Sequence, residues 1–198
     1  MGFFPFLIRY NSEAPEKAKG GTDILDKETF IKKLLLYKDT VFRIAYSYTK
    51  NTGDAEDISQ EIFLKFYTSS PSFSSDGEEK AWLIRVTINK SKDFVRSAWF
   101  SKRVVEPEYR QIYEMNESQS DILEKVLELP DKYRIVIHLY YYEEYSIREI
   151  SEITGAKEST VQTRLQRGRK LLEKKLKEEH LYDERTIHFG YEKNHNEG

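Results

Sequence analysis

Between Ser146 and about Lys175 the sequence carries a pattern that fits two short helices joined by a sharp turn. Ser146-Ile147-Arg148-Glu149 has the form of a capping box, in which the serine side chain accepts from an amide and the glutamate reaches back. Ile147, Ile150 and Ile153 then line one face of a short helix. Thr154-Gly155-Ala156 follows, with glycine where a tight turn needs a residue tolerant of positive φ. A second helix, expected to begin near Lys157, carries Val161, Leu165, Gly168 and Leu172 as its buried stripe. Lys157 stands where a small polar cap is usual, so this helix either starts raggedly or takes Ser159 as its cap. Opposite the stripe lie Gln162, Thr163, Gln166 and Arg167, side chains that hydrogen-bond base edges. Arg164, Arg169 and Lys170 flank them and suit phosphates. The pattern predicts a helix-turn-helix that reads duplex DNA.

The rest of the chain is expected to be helical too. Phe30, Leu34, Tyr37, Val41, Ile44 and Tyr48 recur at spacings of three and four from Asp26 onward. Asn51-Thr52-Gly53 interrupts them, and a second helix is expected from Asp54, with Ile58, Ile62, Phe63, Phe66 and Tyr67 inward. Ser69 to Gly77 reads as a loop, and a third helix is expected from about Glu79 to near Ser97. Its core candidates are Trp82, Leu83, Val86 and Phe94. Ile122, Leu123, Val126 and Leu127 mark a helix stopped by Pro130, and Asp131 to Tyr142 another, rich in Tyr and Ile and expected to be buried. The expected class is all-α, with two small helical domains, 23–100 and 119–178, joined by a flexible acidic linker, 101–118. A flexible leader, 1–22, and a polar tail, 179–198, complete the chain.

A formal net charge of -2 hides strong segregation. Lys80 to Arg103 holds seven basic residues against one acid, and Lys157 to Lys177 eight against two. Val104 to Leu129 holds seven acids against two bases, and Glu178 to Gly198 six against two. Two basic blocks on an otherwise acidic chain point to two polyanion-binding surfaces. In the first block, cations interleave with Trp82, Phe94, Trp99 and Phe100, as suits single-stranded DNA. Trp82 and Phe94 serve either the core or base stacking, and the balance favours the core. Asn89, Lys90 and Arg96 are the stronger candidates for DNA contact.

These residues resemble the extracytoplasmic-function (ECF) group of bacterial sigma-70 factors over roughly residues 26–178. Asp54-Ala55-Glu56-Asp57-Ile58-Ser59-Gln60-Glu61-Ile62-Phe63-Leu64-Lys65 looks like region 2.2, and Lys80 to Asn89 looks like regions 2.3 and 2.4. Leu129-Pro130 through Leu172 looks like region 4. The resemblance implies an alternative sigma factor that binds core RNA polymerase, through the β′ clamp helices and the β flap, and directs promoter recognition and -10 melting. It implies polymerase contacts at Asp54, Asp57, Gln60 and Glu61, and -10 contacts at Arg85, Asn89, Lys90 and Arg96. Phe73 and Ser74 become candidates for capturing a base flipped out of the non-template strand. Gln162, Thr163, Arg164, Gln166, Arg167, Arg169 and Lys170 would meet the -35 duplex. The acidic linker resembles region 3.2, and an anti-sigma factor is the usual partner of such a protein.

Other classes find little support. The chain has no cysteine, and its histidines match no ordinary metal spacing. His138 reads as a satisfied core histidine. No G-x-x-x-x-G-K-S/T or G-x-S-x-G sequence is present, so no catalytic residue, metal or cofactor is expected. No signal peptide or membrane insertion is expected, and the cytoplasm is the anticipated location. The rival reading is a helix-turn-helix regulator that never touches polymerase. It leaves the first domain unexplained.

Overall fold

A computed structural model of the chain describes residues 25–69, 71–100 and 117–178. Every regular element among them is an α-helix. The chain divides into two compact units, Met1–Pro107 and Glu108–Gly198.

The first helix of unit 1, α1 (Lys27–Thr49), starts where the Asp26 carboxylate accepts from the Thr29 amide at 3.0 Å. All six residues of its expected stripe are buried. It ends at Lys50, whose φ of 54 closes the last turn. The next helix, α2 (Thr52–Ser69), begins two residues before the expected Asp54. The reason is Asn51, whose side-chain oxygen accepts from the Asp54 amide at 3.0 Å and caps the helix. Thr52 and Gly53 therefore lie inside the first turn instead of forming a break. A similar cap moves the start of α3 (Asp76–Phe100) to Asp76. Ser75 Oγ accepts from the Glu78 amide at 3.2 Å, while the Glu78 carboxylate accepts from the Ser74 amide at 2.7 Å. The expected Ser69–Gly77 loop is thereby shortened, and the helix runs past Ser97 to Phe100.

The three helices pack around Phe30, Ile44, Tyr46, Phe63, Phe66, Leu83 and Ile88, each nearly sealed from solvent. Burial of such a side chain stabilises by about 1.5–3 kcal/mol. Lys33 clamps α1 to the first turn of α3 through Asp76 and Glu79, both at 2.8 Å. These two hydrogen-bonded carboxylates raise the lysine far above its usual range.

Unit 2 comprises α4 (Glu117–Glu128), α5 (Asp131–Tyr141), α6 (Ile147–Thr154) and α7 (Glu158–Glu178). Glu117 and Ser118, expected in the linker, open α4. The rest of that linker, the leader 1–22 and the tail 179–198 lie outside the described residues. Arg134 is the unexpected core residue, only 2% exposed. Its guanidinium donates to the carbonyls of Leu127 at 2.5 Å and Leu129 at 3.1 Å, and pairs with Asp131. These bonds occupy acceptors left open where α4 ends. His138 is also buried, yet its Nε2 has no hydrogen-bond partner and lies 3.8 Å from the Glu143 carboxylate. It is a core histidine, as expected, but not a satisfied one.

Candidate nucleic-acid interface

The expected capping box forms at Ser146. Its hydroxyl accepts from the Glu149 amide at 3.3 Å, and Glu149 accepts from the Ser146 amide at 2.8 Å. The serine bonds hold the Glu149 carboxyl below the usual carboxylate range. Ile150 and Ile153 are buried and Ile147 half-buried. Gly155 takes φ 70 and donates its amide to Ser151 at 2.9 Å, a backbone state that costs other residues about 1–2 kcal/mol. The chain then enters α7 at Glu158. The helix thus begins near Lys157, as expected, and Lys157 accepts from the Thr160 and Val161 amides at 2.8 and 3.0 Å, so Ser159 is not the cap. Ser159 lies within the first turn.

Val161, Leu165 and Gly168 are buried against the unit, with Leu172 half-buried and Leu176 extending the stripe. Gly168 has a packing reason. A Cβ there would lie 3.0 Å from Ile137 Cγ1 and 3.4 Å from Tyr133 Cβ, so its absence lets α7 approach α5. On the outer side Gln162, Thr163, Gln166, Arg167 and Lys170 are exposed together. The Thr163 hydroxyl donates to the Ser159 carbonyl at 2.8 Å.

One of the expected phosphate ligands sits elsewhere. Arg169 turns toward α5, where its Nε donates to the Tyr141 hydroxyl at 2.6 Å. Its guanidinium stacks over Tyr140 and Tyr141 at 5.5 and 5.6 Å. It braces the helix pair. Arg164, half-buried, shares a cleft of about 360 Å³ with Lys132, Tyr133, Thr160, Thr163 and Arg167. Lys132 and Tyr133 carry no motif, and only the packing of α5 on α7 brings them beside the reading helix.

In unit 1, Arg85, Asn89 and Arg96 are exposed along α3, and Lys92 falls in the same row. The intervals of four, three and four make this one helix face. Arg96 also pairs with Asp93 at 2.8 Å. Lys90 is not on this row; it pairs with Glu61 of α2, so a residue expected to touch DNA and one expected to touch polymerase hold each other. Lys92, which sequence reasoning did not single out, shares the Arg85 row by helical spacing, and Lys90 does not. Phe73 is half-buried, with ring centroids 6.5 Å from Phe66 and 5.8 Å from Trp82. Trp82 also meets Phe66 at 6.1 Å, so it caps the core while keeping partial exposure. Ser74 is exposed beside this ring cluster. On α2, Asp57 and Glu61 are exposed, Asp54 and Gln60 half-buried, and Leu64 adds 46% exposure one turn on.

A basic, amide-bearing helix set on a capped turn defines unit 2 as a helix-turn-helix domain, and unit 1 adds a second cationic helix. Comparison with known proteins accounts for both. Residues 35–101 match the family model for Sigma-70 region 2, and residues 119–172 the one for Sigma-70, region 4. The chain is similar to the ECF RNA polymerase sigma factor SigW of Bacillus subtilis, with 34% identity across 77% of this chain and 91% of that protein. RNA polymerase sigma factor SigV of Bacillus subtilis is 34% identical across 73% of this chain and 89% of its own length. A similar fold occurs in the sigma factor RpoE from Bartonella quintana, solved in complex with the anti-sigma factor NepR. There the TM-score is 0.62 at 24% identity, over 76% of this chain and 98% of the other. This chain belongs to the ECF sigma factors of the sigma-70 family. It is an alternative sigma factor that directs promoter recognition, and a regulator built on region 4 alone is not favoured, since unit 1 carries region 2. The matches include no enzyme family, and no described helix is long and apolar enough to cross a membrane.

Proposed function

We propose that the chain binds core RNA polymerase through α2 and grips a promoter with two separate cationic surfaces. The observation that carries this reading is the pair of exposed basic rows, one on α3 and one on α7, each on its own unit. Asp57, Gln60, Glu61 and Leu64 form the docking strip for the β′ clamp helices, with Asp54 at its start. Unit 2 sits at the β flap and lays α7 in the major groove of the -35 duplex. Gln162, Thr163, Gln166 and Arg167 face base edges there, while Arg164 and Lys170 meet phosphates. Arg169 serves that surface indirectly, by fixing α7 on α5.

At the -10 element, Arg85, Asn89, Lys92 and Arg96 follow the strand, and the half-exposed Phe73 and Trp82 with Ser74 receive an unstacked base. Unstacking costs a few kcal/mol, which aromatic contact offsets. The likeness to RpoE, solved with an anti-sigma factor, supports a protein antagonist for this chain as well. Such a protein works in the cytoplasm, where polymerase and chromosome are. The reading is tested by mixing the full chain with core polymerase. Co-elution and promoter-dependent run-off transcription are expected; promoter binding without either would replace it with the regulator reading.

A further inference from the structure

Beside the exposed ridge of α7, the cleft against α5 brings three cations, Lys132, Arg164 and Arg167, to one concavity. Its remaining lining is all hydroxyl-bearing, including Tyr133, Thr160 and Thr163, and no carboxylate is among the lining residues. A cation-walled, hydroxyl-lined hollow suits a phosphodiester, which offers charge and several acceptors at once. Its place in the helix agrees. At about 100° per residue, Thr163 points most nearly opposite the buried stripe, and Arg167 stands between it and Arg164, which turns to the flank beside α5. When such a ridge enters a major groove, the flank runs along a phosphate strand.

Tyr133 is the unusual member. Its Cβ stands against Gly168, 3.4 Å from where a Cβ there would lie, so the ring projects from a fixed seat. Lys132 Nζ lies 5.0 Å from the ring centroid, and Arg167 lines the same cleft. Partial desolvation pushes the phenol up, but the Arg167 hydrogen bond and the nearby charges prevail and hold it below its ordinary value. Arg167 by contrast is exposed on a long side chain whose freedom must be given up on binding.

We propose that Tyr133 is a positioning residue: beside a backbone phosphate seated in this cleft, its hydroxyl holds Arg167 ready for a base edge. The phenol oxygen accepts from the guanidinium, and its own proton is donated to the phosphate. Lys132 and Arg164 supply the balancing charge. This rests on the duplex-reading role proposed for α7.

The test uses holoenzyme made from the full chain and core polymerase, with duplexes randomised over the -35 window as probe. Wild-type holoenzyme that enriches no sequence defeats the duplex-reading role itself, and the positioning role with it. With enrichment established, Arg167→Ala relaxes preference at one position. Tyr133→Phe relaxes the same position and costs about two- to tenfold in affinity, as loss of one hydrogen bond does. In the Arg167→Ala background Tyr133→Phe costs less and no longer changes the preference, because only its phosphate hydrogen bond remains to be lost. Lys132→Ala weakens all sequences alike and lowers the salt slope by about one.

Three outcomes overturn the positioning role. Tyr133→Phe could leave the enriched motif unchanged, its loss could add in full to that of Arg167→Ala, or Arg167→Ala could weaken all sequences equally. An unchanged salt slope in Lys132→Ala removes the phosphate from the cleft.

Discussion

Gly168 and Glu128 control how α7 is held, one by what it lacks and the other by its charge. Any side chain at 168 must displace Ile137 or Tyr133, with the nearest atom already 3.0 Å from an added Cβ. Gly168→Val should therefore destabilise by about 1–3 kcal/mol, the usual cost of overpacking, seen as a lower thermal midpoint. Glu128 joins α4 to α7 by accepting from Lys175 at 2.5 Å and from Lys125 at 2.9 Å. The hydrogen bond from Lys175, then that from Lys125, holds its pKa below the usual carboxylate value. A carboxyl with a lowered folded pKa stabilises fully above its unfolded value, and that contribution is lost as pH falls through the folded one. Glu128→Gln should cost about 1 kcal/mol at neutral pH, after allowance for partial exposure. It should also flatten the fall in stability below the ordinary glutamate pKa, measured by denaturant titration across pH. Neither residue stood out in the sequence: Gly168 was legible only as part of a stripe, and Glu128 as one acid in an acidic run. Their roles depend on partners 31 and 47 positions away, which spacing along one helix cannot reveal.

Elements were readable where a local cap and a periodic stripe agreed. Ser146, Glu149 and Gly155 mark α6 by short-range bonds that the sequence states directly, and the six apolar residues of α1 face inward as their spacing requires. Ser146→Ala should remove about 0.5–2 kcal/mol of stability and lower duplex affinity in parallel, as binding isotherms and thermal melts of one preparation would show. Boundaries failed where the cap was read as a breaker. Asn51 and Ser75 each fold a side chain onto an amide of the next helix, which draws residues expected in loops into α2 and α3. The candidate site shows the same divide. The exposed ridge of α7 was legible from its opposition to the stripe, whereas the partners of Arg169 and Lys90 within the fold were not. Both are basic and near the right face, yet tertiary partners, Tyr141 and Glu61, engage them. Lys132 and Tyr133 were invisible for the converse reason.

For the whole molecule, the proposed reading gives the two units different halves of one task, with neither basic row accounting for promoter choice alone. The sequence showed this division through charge segregation, because net charge survives any detail of packing. The proposed polymerase attachment had less support in the residues: α2 is an amphipathic helix like many others, and only the order of motifs distinguished it. Asp57→Arg reverses charge at an exposed point of that strip. It should weaken holoenzyme assembly about tenfold or more, as charge reversal within an interface does, while leaving the fold intact. Assembly at wild-type strength, measured by titrating labelled chain with core polymerase, would move the docking site off α2. The central claim is that the chain redirects polymerase by reading two promoter elements. Sequencing transcript 5′ ends, made by core polymerase with and without the full chain on genomic DNA, tests it most directly. The account predicts new starts that share two sequence blocks at a fixed separation, near -35 and -10. An unchanged set of starts, or new starts sharing only one block, would contradict it.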